Sequence, residues 1–179
     1  MLFFIDRSAL IPYSKLSGIF QRFGWSVKKI LKDKAVYLDV CSLCRPFDDQ
    51  RFLRIRMESE AILLILENIR AGVIKMIVSP VHFREMEATS DAIERAKIFY
   101  LLNNYGETVK VDMAEARRKA DQLFESGFGV ADAAHVAFAE AVVADFVTCD
   151  DRLLKRCLKS NLKIWCGDPL QYCLKEDFK

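Results

Sequence analysis

The sequence predicts an α/β fold in which a central parallel sheet is covered by helices on both faces, a three-layer α/β/α domain. Three observations lead there. Short β-type runs such as "AVYLDV", "VIKMIVS" and "DFVTC" recur along the chain. Longer stretches with helical start and stop signals separate them. The strict alternation of the two implies right-handed crossovers, which join parallel strands and cover both faces of the sheet.

The elements follow in order. Between Ser14 and Lys34, apolar residues fall at Leu16, Ile19, Phe20, Phe23, Val27, Ile30 and Leu31, one face of a helix, with Lys15, Arg22, Lys28, Lys29 and Lys32 around the rest. "AVYLDV" is the first strand, and "FLRIRMESEAILLILENIRAG" is a long helix with Gly72 near its end. "VIKMIVS" is the second strand. "PVHFREMEATS" is a helix whose first turn accommodates Pro80, and "DAIERAKIFYLLNNYG" is another. "TVKV" is a weak strand, followed by the helix "DMAEARRKADQLFESG", capped by Asp112. "VADAAHVAFAEAVVA" is an Ala-rich helix, "DFVTC" a strand, "DDRLLKRCLKS" a helix and "LKIWC" a last strand.

The chain has 179 residues and a net charge of +2, about half of its residues are apolar, and no apolar run reaches the roughly 20 residues that span a bilayer. One domain with an appendage is the organisation this size predicts: a basic extension over 1–34 and a main domain over 35–179. The extension carries seven Lys or Arg against two Asp, whereas the remainder carries 20 basic and 23 acidic residues. A basic amphipathic helix can contact RNA or a membrane surface; a helix laid on the domain, or a weakly ordered leader, is the reading taken, since such stripes usually serve core contacts. Six cysteines, at 41, 44, 149, 157, 166 and 173, and a start that makes a poor signal peptide predict free thiols in a reducing cytoplasm.

Ligands of open parallel sheets sit outside the carboxyl ends of the strands. Acids fall at those ends. The first strand ends at Asp39, the second leads into a helix carrying Glu85, and the "FVTC" strand ends at Asp150 and Asp151. Asp132, in the first turn of "VADAAHVAFAEA", stands among Val130, Ala131, Ala133 and Ala134, company in which a carboxylate needs compensation. Each acid has a plainer role as a helix cap or a solvated residue. Four at one rim repel and raise one another's pKa, and a divalent cation reverses that penalty. All-oxygen ligands suit Mg²⁺ or Mn²⁺.

The blocks "VYLDVCSLCRPFDDQ", "VSPVHFRE" and "VADAAHVAFAEAVVADFVTCDDRLLK" together resemble a PIN domain, the nuclease fold of the toxins in VapBC toxin-antitoxin pairs. The resemblance runs from about Ala35 to the C-terminus, with the D-x-x-H opening and the T-x-D at a strand end its most specific parts. It implies that Asp39, Glu85, Asp132 and Asp150 hold Mg²⁺ or Mn²⁺ and catalyse cleavage of single-stranded RNA. It also implies a homodimer silenced by a small antitoxin protein. Two departures stand out: Cys41 occupies a position where many relatives carry Asn, and the basic extension is not part of the family pattern. Glu87 competes with Glu85, and Asp151 can supplement Asp150.

Around these acids, Ser42 and Thr148 offer hydroxyls, and Arg45 and Arg152 offer guanidiniums, to a phosphate substrate. Arg45 can equally pair with Asp48 or Asp49, the plainer role. His135 and His82 are read as packed or incidental histidines. Two further functions fit parts of the sequence: a thiol-disulfide oxidoreductase using Cys41 and Cys44, and a non-catalytic module that binds RNA or protein.

Overall fold

The computed structural model describes residues 34–178. The extension predicted over 1–34 lies, apart from Lys34, outside the described residues. The fold is α/β: a five-stranded, all-parallel sheet flanked by helices, in the strand order β3-β2-β1-β4-β5. The strands are β1 (Ala35–Leu38), β2 (Lys75–Val78), β3 (Gly106–Thr108), β4 (Asp145–Val147) and β5 (Cys166–Gly167). The helices are α1 (Val40–Cys44), α2 (Leu53–Arg70), α3 (Pro80–Ala88), α4 (Ala92–Tyr105), α5 (Met113–Glu125), α6 (Val130–Ala141), α7 (Asp151–Lys159) and α8 (Pro169–Glu176). Among the described residues no helix is long and apolar enough to cross a membrane.

Alternation along the strands sends successive side chains to opposite faces. Val36, Leu38, Met76 and Val78 face one layer, where they meet Ile62, Ile65, Ile98, Leu102 and Tyr172 of α2, α4 and α8. Tyr37, Ile77 and Phe146 face the other, against Leu123 of α5, Val136 and Ala137 of α6 and Leu153 and Cys157 of α7. Both faces are buried, as parallel sheets require.

Several elements depart from the sequence reading. The strand expected at "TVKV" sits two residues earlier, because Gly106 lets the chain turn straight from α4 into the sheet. A Cβ there would meet the Val78 side chain at 2.1 Å, and Met76 pairs with Gly106. The last strand is shorter than "LKIWC". The Lys163 N–H donates to Glu140 of α6 instead of to β4, and pairing starts where the Trp165 carbonyl accepts from Phe146. The short α1 and the C-terminal α8 have no counterpart in the expected elements. Five residues are too few to show a helical period, whereas α8 opens on a capping box, Asp168 with Pro169 and Gln171, that the sequence displays.

Candidate active site at the carboxyl edge of the sheet

From β1 the chain builds outward through β2 to β3, then crosses to the other side of β1 to lay down β4 and β5. The order reverses between β1 and β4, so a crevice opens at the carboxyl ends of these two strands. β1 runs directly into Asp39, and β4 runs through Thr148 and Cys149 to Asp150. Helices α1 and α7 begin at these two acids. Their N-terminal dipoles therefore face the crevice and favour negative charge there.

Asp39 is 4% exposed. Its backbone N–H extends the β1–β4 ladder to Val147, and its Oδ1 accepts the Ser42 N–H at 2.8 Å, capping α1. Burial raises its pKa, opposed by hydrogen bonds from the Thr148 hydroxyl and from Ser42, and by the nearby His135 ring. Thr148 also accepts the Asp150 N–H on Oγ1 at 3.0 Å, so one hydroxyl ties the two strand-end acids together. The Ser42 hydroxyl donates to the Val147 carbonyl at 3.3 Å. Asp39 forms no ion pair with a lysine or arginine among the described residues.

Asp150 caps α7 through a single oxygen: Oδ1 accepts both the Arg152 N–H at 2.7 Å and the Leu153 N–H at 3.2 Å. Oδ2 is left facing the exposed rim. Asp132 occupies the third position of α6, where the Gly129 backbone favours its charged form. A Cβ at residue 129 would stand 2.9 Å from Asp132 Oδ2, so glycine makes room for the carboxylate. Burial raises the Asp132 pKa, and the charge on Asp150 raises it further. Arg156, whose Nη1 is 3.9 Å from Oδ2, opposes them. Helix capping, the plainer role, is thus realised by Asp39 and Asp150, whereas α6 has Gly129 as its N-cap and Asp132 at its third position.

Glu85 is half-buried on α3 and accepts a hydrogen bond from His135 Nε2 at 2.7 Å, which holds its pKa below the usual carboxylate range. Glu87, its competitor, is exposed. His135 continues inward: Nδ1 lies 2.7 Å from the Tyr37 hydroxyl, which lies 2.5 Å from Ser79 Oγ. His82 Nδ1 accepts the Ser79 N–H at 3.1 Å, and Nε2 donates to the Leu38 carbonyl at 2.8 Å. The two histidines read as incidental or merely packed are therefore joined in one buried polar chain. Its signals in the sequence were slight: a tyrosine between two apolar residues of a strand, and a Ser-x-x-His at a helix start.

A second set of charges borders the crevice. Arg54 grips Asp151 with both Nη atoms, at 2.6 and 2.7 Å, and Glu58 with Nε at 2.7 Å. Arg45 pairs with Asp48 at 2.9 Å and lies in charge contact with the buried Glu58 at 2.9 Å, without hydrogen-bond alignment. Asp151 is thereby engaged by α2. The Arg152 side chain extends into solvent and forms no ion pair among the described residues.

Cys41 and Cys44 are both free thiols. Cys41 lies at the surface, close enough to Asp39 and Asp150 to feel both charges, while Cys44 is half-buried. Partial burial pushes the Cys41 thiol far up and the Cys44 thiol up to about 12.

The donors at the crevice are carboxylate oxygens, which match a hard divalent cation. Among the described residues no three His, Cys, Asp or Glu side chains stand close enough together to enclose one. The described residues therefore form no closed protein cage for an ion. Compared with known proteins, the chain matches no family model, and no curated protein matches it.

Proposed function

We propose that this chain is a PIN-like, metal-dependent endoribonuclease that hydrolyses phosphodiester bonds in single-stranded RNA. One observation carries the reading. A buried carboxylate, Asp39, stands at the point where the strand order reverses, tied through the Thr148 hydroxyl to Asp150, with no basic side chain paired to it among the described residues. A carboxylate so placed is costly unless a cation compensates it.

Mg²⁺ or Mn²⁺ would be held through one or two of Asp39, Asp132 and Asp150, with Glu85 at the α3 side of the rim. A bound divalent cation supplies charge stabilisation at the phosphodiester and lowers the pKa of a coordinated water. The chain's own residues do the rest. The Ser42 N–H and the Thr148 hydroxyl fix Asp39, and the first turn of α7 fixes one oxygen of Asp150, leaving the other to face solvent. Arg152, exposed beside Asp150, can meet a backbone phosphate of the RNA. The raised Cys41 and Cys44 thiols speak against redox chemistry, which runs through a thiolate.

The test is cleavage of end-labelled single-stranded RNA with and without Mg²⁺ by the parent, Asp39→Asn and Asp132→Asn. Losses on the order of 1,000-fold are expected, equivalent to several kcal/mol of charge stabilisation. Undiminished cleavage in both variants would overturn the reading. The resemblance extends the proposal to a homodimeric toxin. Expression that arrests growth, relieved by Asp39→Asn or by a small protein encoded beside it, is the expected outcome.

A further inference from the structure

We propose that Tyr37, Ser79, His82 and His135 form a directional hydrogen-bond chain that orients Glu85, with His135 as the positioning residue that presents its Nε2–H to the carboxylate. The proposal rests on the nuclease reading only in taking Glu85 as a member of the working rim.

Both ends of the chain are fixed by groups that can only accept. The Leu38 carbonyl accepts from His82 Nε2, so that nitrogen carries a proton and His82 Nδ1 is left to accept the Ser79 N–H. At the other end Glu85, held as a carboxylate, accepts from His135 Nε2, so that nitrogen carries a proton too. Between the ends stand two hydroxyls, each able to donate or accept. With His135 Nδ1 unprotonated, Ser79 donates to Tyr37 and Tyr37 donates to His135. With Nδ1 protonated, His135 donates to Tyr37, Tyr37 to Ser79 and Ser79 to His82 Nδ1, 3.2 Å away. Every buried polar atom of the chain is satisfied in both arrangements, and the bond to Glu85 is the same in both.

Burial makes the chain rigid as well as complete. Tyr37 is 0%, Ser79 and His82 1% and His135 2% exposed. The two imidazoles also pack edge to face with centroids 5.0 Å apart, and Tyr37 lies 4.6 Å from the His82 ring. The His135 ring therefore cannot turn away from Glu85 without breaking the Tyr37 bond. Glu85 itself sits on α3, whose start is fixed by the Ser79 and His82 capping box, so the chain positions both the helix and its carboxylate. Partners of this kind, one bond behind a working group, typically change activity by about 10- to 100-fold when removed.

The chain contains only two histidines, both in this network, so the ¹⁵N-histidine spectrum of the untagged, Mg²⁺-free protein reads it directly. Both rings are expected to carry the proton on Nε2. Tyr37→Phe should shift the His135 Nδ1 resonance, which loses its partner, while the Glu85 bond keeps the proton on Nε2 and His82 keeps its tautomer. The second arm compares two variants. His135→Gln places an amide N–H where Nε2 stood and drops the Tyr37 bond, whereas His135→Asn keeps a partner for Tyr37 and drops the Glu85 bond. The expected result is a kcat loss of about 10- to 100-fold in His135→Asn, mostly restored in His135→Gln, with KM little changed. Equal losses in the two variants, or a His135 bearing its proton on Nδ1 alone, would overturn the proposal. Asp39→Asn separates the two levels. Full cleavage by that variant refutes the nuclease reading, and the spectrum still decides the hydrogen-bond chain.

Discussion

The two faces of β1 are built on different chemistry. Val36 and Leu38 point into a mostly aliphatic layer from α2 and α4, in which the buried Tyr172 hydroxyl of α8 has no hydrogen-bond partner among the described residues. Tyr37, between them, points the other way and hands its hydroxyl to Ser79 and His135. One face supplies burial, which is non-directional and tolerates exchange of similar volumes. The other supplies orientation, which fails when a single donor is misplaced. A strand can serve both ends because its side chains alternate, and Asp39 at its tip inherits a firm backbone from one face and a polar neighbourhood from the other.

Four substitutions would break or sharpen this contrast. Leu38→Ala, on the aliphatic face, should cost about 3 kcal/mol in urea unfolding. A loss below about 1 kcal/mol would mean that this face does not carry the stability assigned to it. Tyr37→Phe keeps the ring and removes only the hydroxyl, so about 1 kcal/mol is expected. A loss as large as that of Leu38→Ala would erase the distinction between the faces.

Asp39→Asn should raise Tm by roughly 2–4 °C at neutral pH without added metal, about 1 kcal/mol for a domain of this size. The sign follows from the raised pKa. Ionised Asp39 is penalised above its folded pKa, and the penalty fades as pH falls toward its unfolded value. The gain should therefore shrink on acidification, and a gain that grows toward low pH would contradict it. Glu85 runs the other way: its lowered pKa adds stability above the ordinary carboxylate range that is lost as pH falls through its folded value. Cys41→Ser, at the surface, should change neither stability nor RNA cleavage by more than about 0.5 kcal/mol or its equivalent in rate. A larger loss of cleavage alone would draw Cys41 into the site.

Most of the layer architecture was legible because it rests on periodicity. Strands and helices long enough to show their period were placed within a few residues, and the rim acids followed from strand ends. What escaped depends on contacts far apart in sequence. The start of β3 is set by Gly106 against Val78, and the shortened β5 by Lys163 against Glu140, neither of which a local pattern reports. Four acids could be named from the sequence, but not the chain behind Glu85, whose members at 37, 79, 82 and 135 meet only in the folded state. Nor could Asp151 be separated from Asp150 before Arg54, 97 residues away, was seen to hold it.

The acids that begin α1 and α7 have a consequence for mutational drift. Each of these carboxylates also accepts free N–H groups of its helix, so most replacements would remove a charge of the proposed site and loosen a helix start together. Asparagine keeps the cap while discarding the charge. On the nuclease reading, a silent descendant of this protein would be reached most readily through Asp-to-Asn changes, and a lineage that kept both aspartates would be retaining their charge for a reason other than folding.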